Sequence, residues 1–399
     1  MNPAKPQPRS PMLRTAAALL CVLAISGCST IRGWFGGDDD EVNTTDPAAL
    51  ADFVPSATVD RIWTAGAGKG ERRIGAGQSP AVADGRVYAA ALTGGVRAFD
   101  LQTGATVWHH DSDLPLSGGP GVGDGLVVAG SLEGDVLALD AASGAERWRA
   151  KVGNEVIAAP AIGQGLVVVR SNDGHVSAFD AASGERRWFW VRDLPALTVR
   201  GNDAPVLGPG YVFVGNDDGT VIAIGLADGR PIWDQAVGEP DGRTDLERMA
   251  DVDGSPVLDD VVLYASSYKR QTMAIEAPSG RPLWASDRGG SGRVGLAADR
   301  LVVADPAGTV WALDKNGGTA LWQQDALARR GLSSAAVHDG HAVVGDLDGY
   351  VHWLRLENGE LAARVRAGRA AIKGSPVVAD GILVVQNVKG DLSAYRLGQ

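Results

Sequence analysis

An eleven-residue pattern, A-x-D-x-x-x-G-x-x-x-W, returns about every forty residues along this chain and limits its fold more than any other feature. Ala98 to Trp108 reads AFDLQTGATVW, Ala138 to Trp148 reads ALDAASGAERW, and Ala178 to Trp188 reads AFDAASGERRW. Weaker copies run Ala223–Trp233, Ala274–Trp284 and Ala312–Trp322, with Gly225 and Glu276 in place of the aspartate in the first two. A seventh copy keeps Gly359 but carries Trp353, Arg355 and Ala363 in the other slots, and an eighth starts at Ala394 and runs off the end. The first positions are 40, 40, 45, 51, 38, 41 and 41 residues apart. A period near forty with strand-forming composition is the signature of propeller blades, not of helical repeats.

Each copy makes sense as a β-hairpin preceded by another. Ser79 to Ala83 and Arg86 to Ala91 are short β-rich runs split by Asp84-Gly85, and similar breaks fall at Asp124-Gly125, Asp339-Gly340 and Asp380-Gly381. Asp-Gly suits two-residue hairpin turns because glycine accepts positive φ at no steric cost. The motif aspartate is placed to accept turn N–H groups, the glycine to take the strained turn position, and the tryptophan to fill the gap between blades. The last copy lacks its tryptophan strand, while Asp60-Arg61-Ile62-Trp63 near the other end is a strand without a blade. Pairing the two closes the ring and removes its open edge. The expectation is an all-β, eight-bladed propeller of four-stranded blades over residues 58–399.

The first residues read as targeting signal. Arg14 precedes an apolar run from Thr15 to Ile25, too short for a helical span, which needs about 20 residues. Ile25-Ser26-Gly27-Cys28 resembles a bacterial lipobox, which implies cleavage after residue 27 and a diacylglyceryl group on Cys28. Ser29 carries no inner-membrane retention signal, so the outer membrane is favoured. Residues 28–57 then form a polar tether with the acidic run Asp38-Asp39-Asp40-Glu41. Cys21 leaves with the signal and Cys28 is lipidated, so no thiol remains for a disulfide, nucleophile or metal site. Removing Lys5, Arg9 and Arg14 takes the formal charge from −11 to −14, which disfavours nucleic acid as a partner.

The repeat resembles the tryptophan-docking repeat of quinoprotein alcohol dehydrogenases, eight-bladed enzymes that hold pyrroloquinoline quinone on the propeller axis. This chain lacks the vicinal cysteine pair of many members and their long insertions, and a shared fold does not confer chemistry. His109, His110, His175, His338, His341 and His352 are scattered over three repeats without metal-ligand spacing. Gly66-Ala67-Gly68-Lys69-Gly70 has no strand-then-helix context for a phosphate loop, and no G-x-S-x-G elbow occurs. No catalytic residue, metal or cofactor is assigned. A quinoprotein-type dehydrogenase and a generic ligand-binding propeller remain as rival readings.

From lipobox to closing strand, residues 23 to 399, the chain resembles the propeller lipoproteins of the bacterial outer-membrane β-barrel assembly machinery. Two segments outside the repeat carry that resemblance: Asp193 to Gly201, reading DLPALTVRG, and Asp245 to Gly254, reading DLERMADVDG. In that family these loops bind the central barrel-forming subunit, and the matching positions here are Leu197, Val199, Arg200, Asp251 and Asp253. Val199 stands where a leucine is common. The resemblance implies a non-enzymatic scaffold docked on that subunit, with unfolded outer-membrane chains as further partners. Without the family, the loops stand out by length, since they account for the spacings of 45 and 51. Leu197 and Val199 offer apolar anchors, Arg200 a planar donor, and the aspartates acceptors for a partner. The alternative is an internal Arg200–aspartate bridge that orders the loops.

Cys28→Ser should yield a soluble protein with the propeller intact, because stable anchoring needs acyl chains and the fold does not need the thiol. Fractionation of that variant with outer membranes, in cells lacking its docking partner, would refute the lipobox assignment.

Overall fold

Eight four-stranded antiparallel sheets make up the fold, and no helix occurs among the described residues. The computed structural model describes residues 46–70, 77–195, 197, 203–239, 241–244 and 249–398. The lipobox with Cys28, the acidic run of the tether, Val199 and Arg200 therefore lie outside the described residues. In blade one the strands are Ala81–Ala83, Arg86–Ala90, Val96–Asp100 and Thr106–His110, ordered outward from the axis as they come in sequence. Inner strands are neighbours around the axis, and Val377–Ala379 of blade eight lies beside Ala81–Ala83 of blade one. Blade eight takes its outer strand from the other end of the chain: Val59–Gly66 pairs with Asp391–Leu397, with Trp63 opposite Ala394. The fold is the expected eight-bladed propeller closed by its terminal strands.

Local chemistry follows the repeat. At the Asp84-Gly85 turn both residues have positive φ, 49° and 69°, the conformation that matches the twist of the paired strands. Asp140 Oδ1 accepts the backbone N–H groups of Ala142 and Ser143, so the motif aspartate holds the turn that ends its strand. The same turn carries Gly144 at φ 73°.

That glycine has a second task, in the neighbouring blade. A Cβ on Gly144 would fall 2.6 Å from the ring of Trp108, the tryptophan of the preceding motif. Trp108 Nε1 donates to the Ala141 carbonyl at 3.0 Å, and Trp148 repeats the arrangement over Gly184 with a 2.8 Å bond to Ala181. Trp63, Trp188, Trp233, Trp284 and Trp322 do the same to the blade that follows each. The core therefore lies between blades, where Val128, Ala138 and Trp148 of blade two meet Val167, Val169 and Phe179 of blade three.

Blade seven reverses the size pattern. Elsewhere a motif alanine faces the tryptophan across the two outer strands, as Ala138 faces Trp148; here Trp353 faces Ala363. The large ring has moved one strand inward, where it is fully buried and stands edge-on to Tyr395 of blade eight. Its Nε1 donates to His338 Nδ1 at 3.2 Å, and His338 Nε2 reaches the Gly381 carbonyl of blade eight at 3.1 Å. A neutral imidazole thus links this indole to the next blade through the carbonyl of the Asp380-Gly381 turn, not the one the other tryptophans use, and burial holds its pKa below the ordinary histidine value.

The compact propeller unit begins at Pro47, so residues 47–57, read from sequence as tether, run along blade seven. Ser56 N–H donates to the Ala362 carbonyl, Arg364 lies 5.3 Å over the Phe53 ring, and Arg330 donates to the Ala48 carbonyl.

Trp148→Ala should cost roughly 3–5 kcal/mol, as large aromatic deletions in cores do. Phe189→Ala, on an outer strand and 60% exposed, should stay within about 0.5 kcal/mol. Urea denaturation measures both, and equal losses would contradict an inter-blade core.

Candidate partner interface

Because strand order alternates, every outer strand ends, and every inner strand begins, on one face of the ring. The two long connections, from Val191 to Val206 and from Ala236 to Val257, both emerge there, in adjacent gaps between blades three, four and five. The first leaves the outer strand Arg186–Val191, whose Phe189 and Val191 are exposed, and continues through exposed Leu194 and Leu197. An apolar band thus runs from the rim of blade three onto this face, with Leu197 available as an anchor. Arg192 fixes the root of the loop, bonding Asp218 through Nε at 2.6 Å and Asp234 through Nη1 at 2.5 Å.

Beneath the loops sits Arg170, at the end of the second strand of blade three. The equivalent strand ends are Ala90, Gly130, Gly215, Ser266, Ala304, Gly345 and Gln386, so an arginine there breaks the repeat. Its guanidinium is buried and bonds Asp203, at the end of the first loop, and Asp217, in a turn of blade four, the latter at 2.7 Å. One cation therefore ties the loop to two blades. An internal guanidinium–carboxylate bridge does order this region, and among the described residues its cation is Arg170.

The aspartates of the second loop sit deeper than the sequence suggests. Asp251 is fully buried and Asp253 largely so, because the segment folds back into the ring: Ala250 and Val252 enter the core, Val252 N–H donates to the Asn216 carbonyl, and Tyr268 N–H to the Asp251 carbonyl. One oxygen each from Asp217, Asp251 and Asp253 lies within 4.8 Å of the others. Burial, reinforced by the Asp251, Asp203 and Asp217 carboxylates, pushes Asp253 up to about 9. A proton on Asp253 relieves the repulsion. Burial also raises Asp203, against the pull of Arg170. Of the five positions singled out from sequence, the structure puts Leu197 on the surface and the two aspartates underneath; Val199 and Arg200 fall outside the described residues.

The family model described as outer membrane protein assembly factor BamB matches residues 92–324 and 306–397. A protein of that name from Xanthomonas campestris pathovar campestris is 58% identical over 397 residues, covering 97% of this chain and 98% of its own. The chain belongs to the BamB family. The crystal structure of BamB from Moraxella catarrhalis superposes with a TM-score of 0.77 at 25% identity, over 85% of this chain and 100% of that one. Quinohemoprotein alcohol dehydrogenase from Comamonas testosteroni gives 0.67 at 14% identity, over 87% of this chain and 78% of its own, which shows a common propeller and nothing of its chemistry.

Arg170, Asp203 and Asp217 escaped the sequence reading. The signal for Arg170 was there, an arginine in a slot otherwise filled mainly by small residues, but it appears only when second strands are aligned blade by blade. With a folded-state pKa above its unfolded value, Asp253 favours folding at low pH, and that contribution is lost as pH rises from about 4 toward 9. Asp253→Asn should therefore raise the melting temperature, and by more at about pH 8 than at about pH 5. A larger gain at the lower pH would contradict a protonated Asp253.

Proposed function

We propose that this chain is a scaffold of the outer-membrane protein assembly machinery, held on the periplasmic face of the outer membrane by lipid on Cys28. It docks through the face of blades three to five on the central barrel-forming subunit, BamA. Membership of the BamB family supports the assembly role, and the observation that supports the docking face is the exposed Leu197, on the loop whose end the Arg170 bridge holds. Leu197 and Val199 supply apolar contacts and Arg200 a planar, charged donor. Asp251 and Asp253 act from below, shaping the loop that reaches the partner. The outer strands add unpaired edges of the kind that accept extended chains by strand addition, and these are where unfolded outer-membrane proteins would be received. No catalytic step is part of this reading.

Arg200→Ala and Leu197→Ala should each weaken BamA binding by about 2 kcal/mol or more, roughly thirty-fold, with little change in melting temperature. Asp251→Ala with Asp253→Ala should weaken binding as well, with some loss of stability because the pair is buried. Co-purification from native envelopes reads all three. Wild-type recovery of BamA by the Arg200 and Leu197 variants would move the interface to another surface.

A further inference from the structure

The same face opens into a cavity on the propeller axis, about 480 Å³ in volume. Its wall includes a ring of eight residues, one from just before each inner strand. In blades one, five, seven and eight the ring residue is Ser79, Ser255, Ser334 and Ser375; in blades two, three and four it is Gly119, Ala159 and Ala204. In blade six it is Arg293. One long cation thus enters a ring of small side chains, with no hydrogen-bond or ion-pair partner for its guanidinium among the described residues. The chain around it is tightly fixed: Arg293 N–H donates to Ser334 Oγ at 3.0 Å, and a Cβ on Gly254 would fall 2.3 Å from the Gly292 carbonyl. Arg293 is exposed to the cavity mouth, yet the surrounding protein removes enough solvent to lower its pKa.

Two acids line the same cavity, and neither is paired with Arg293 among the described residues. Asp305, of the same blade and cavity, accepts Thr309 N–H at 2.9 Å and Trp311 Nε1–H at 3.3 Å. Burial pushes Asp253 up to about 9, which favours its neutral form near pH 7. Lys373, two residues before the ring position of blade eight, also lines the cavity and has no ion-pair partner among the described residues. With Asp253 neutral, the ionisable lining is Arg293 and Lys373 against Asp305, a net positive wall in a protein that is net acidic, carried by a planar fork suited to bidentate oxyanions and a point charge on the same cavity. A cavity of this size suits a small molecule.

From the Arg293 fork and Lys373 in this open-mouthed axial cavity, we infer a binding site for a small oxyanion, a molecule bearing carboxylate or phosphate groups. It does not depend on the docking reading above. The test is calorimetric titration of the intact protein with citrate and, separately, inorganic phosphate at constant ionic strength. Saturable one-to-one binding of at least one probe is expected, weakened about tenfold or more by Arg293→Ser, which installs the residue four other blades carry at this position. Arg147→Ser, on an outer strand, should leave the affinity unchanged. Citrate binding alone identifies a carboxylate ligand, and phosphate binding alone a phosphorylated one. No saturable binding of either, or full affinity in Arg293→Ser, overturns the inference. If Arg293→Ser does not fold, Arg293→Lys decides: it keeps the charge but loses the fork, so undiminished affinity is the overturning result.

Discussion

The ring depends on an indole seated on a glycine. In every blade but the seventh, the outer-strand tryptophan leaves its own blade, covers the motif glycine of the next, and donates its N–H to a carbonyl one turn away. A single residue type thus fills an inter-blade gap, satisfies its own polar atom and fixes blade spacing. It also explains why glycine is required twice over at that position, for positive φ and for the flat contact. Burial alone would leave neighbouring sheets free to slide over one another. The directional bond sets where each one stops.

This lock was half legible in the sequence. The spacing of Ala98, Gly104 and Trp108 shows a hairpin with a special turn, and Trp63 shows which strand closes the ring. That the glycine serves the tryptophan of the previous blade was hidden, since the contact joins residues about forty positions apart. The exchange at Trp353 and Ala363 was visible as two departures, but reading them as one swap required the register that puts them opposite each other. Asp251 and Asp253 looked like surface carboxylates because loops usually lie outside; alternating Ala250 and Val252 draw this loop into the core instead.

Two arginines mark places where the repeat is broken. Arg170 and Arg293 each replace a small residue at a position that most blades leave nearly empty, and both serve the face that carries the long loops. A repeat fold makes such exceptions affordable, because each blade touches only its neighbours and one altered slot does not propagate. Eightfold scaffolding and one-sided function coexist on that basis.

Closure by the terminal strands also orders events in time. Val59–Gly66 is made before any complete blade, yet its partner Asp391–Leu397 is nearly the last segment of the chain. Until that segment is in place, the first strand has no partner for Trp63 or for its ladder of backbone groups. The molecule has no finished ring until its final residues arrive. Blade eight therefore carries a loop-closure cost that the other blades, each built from neighbouring segments, do not bear.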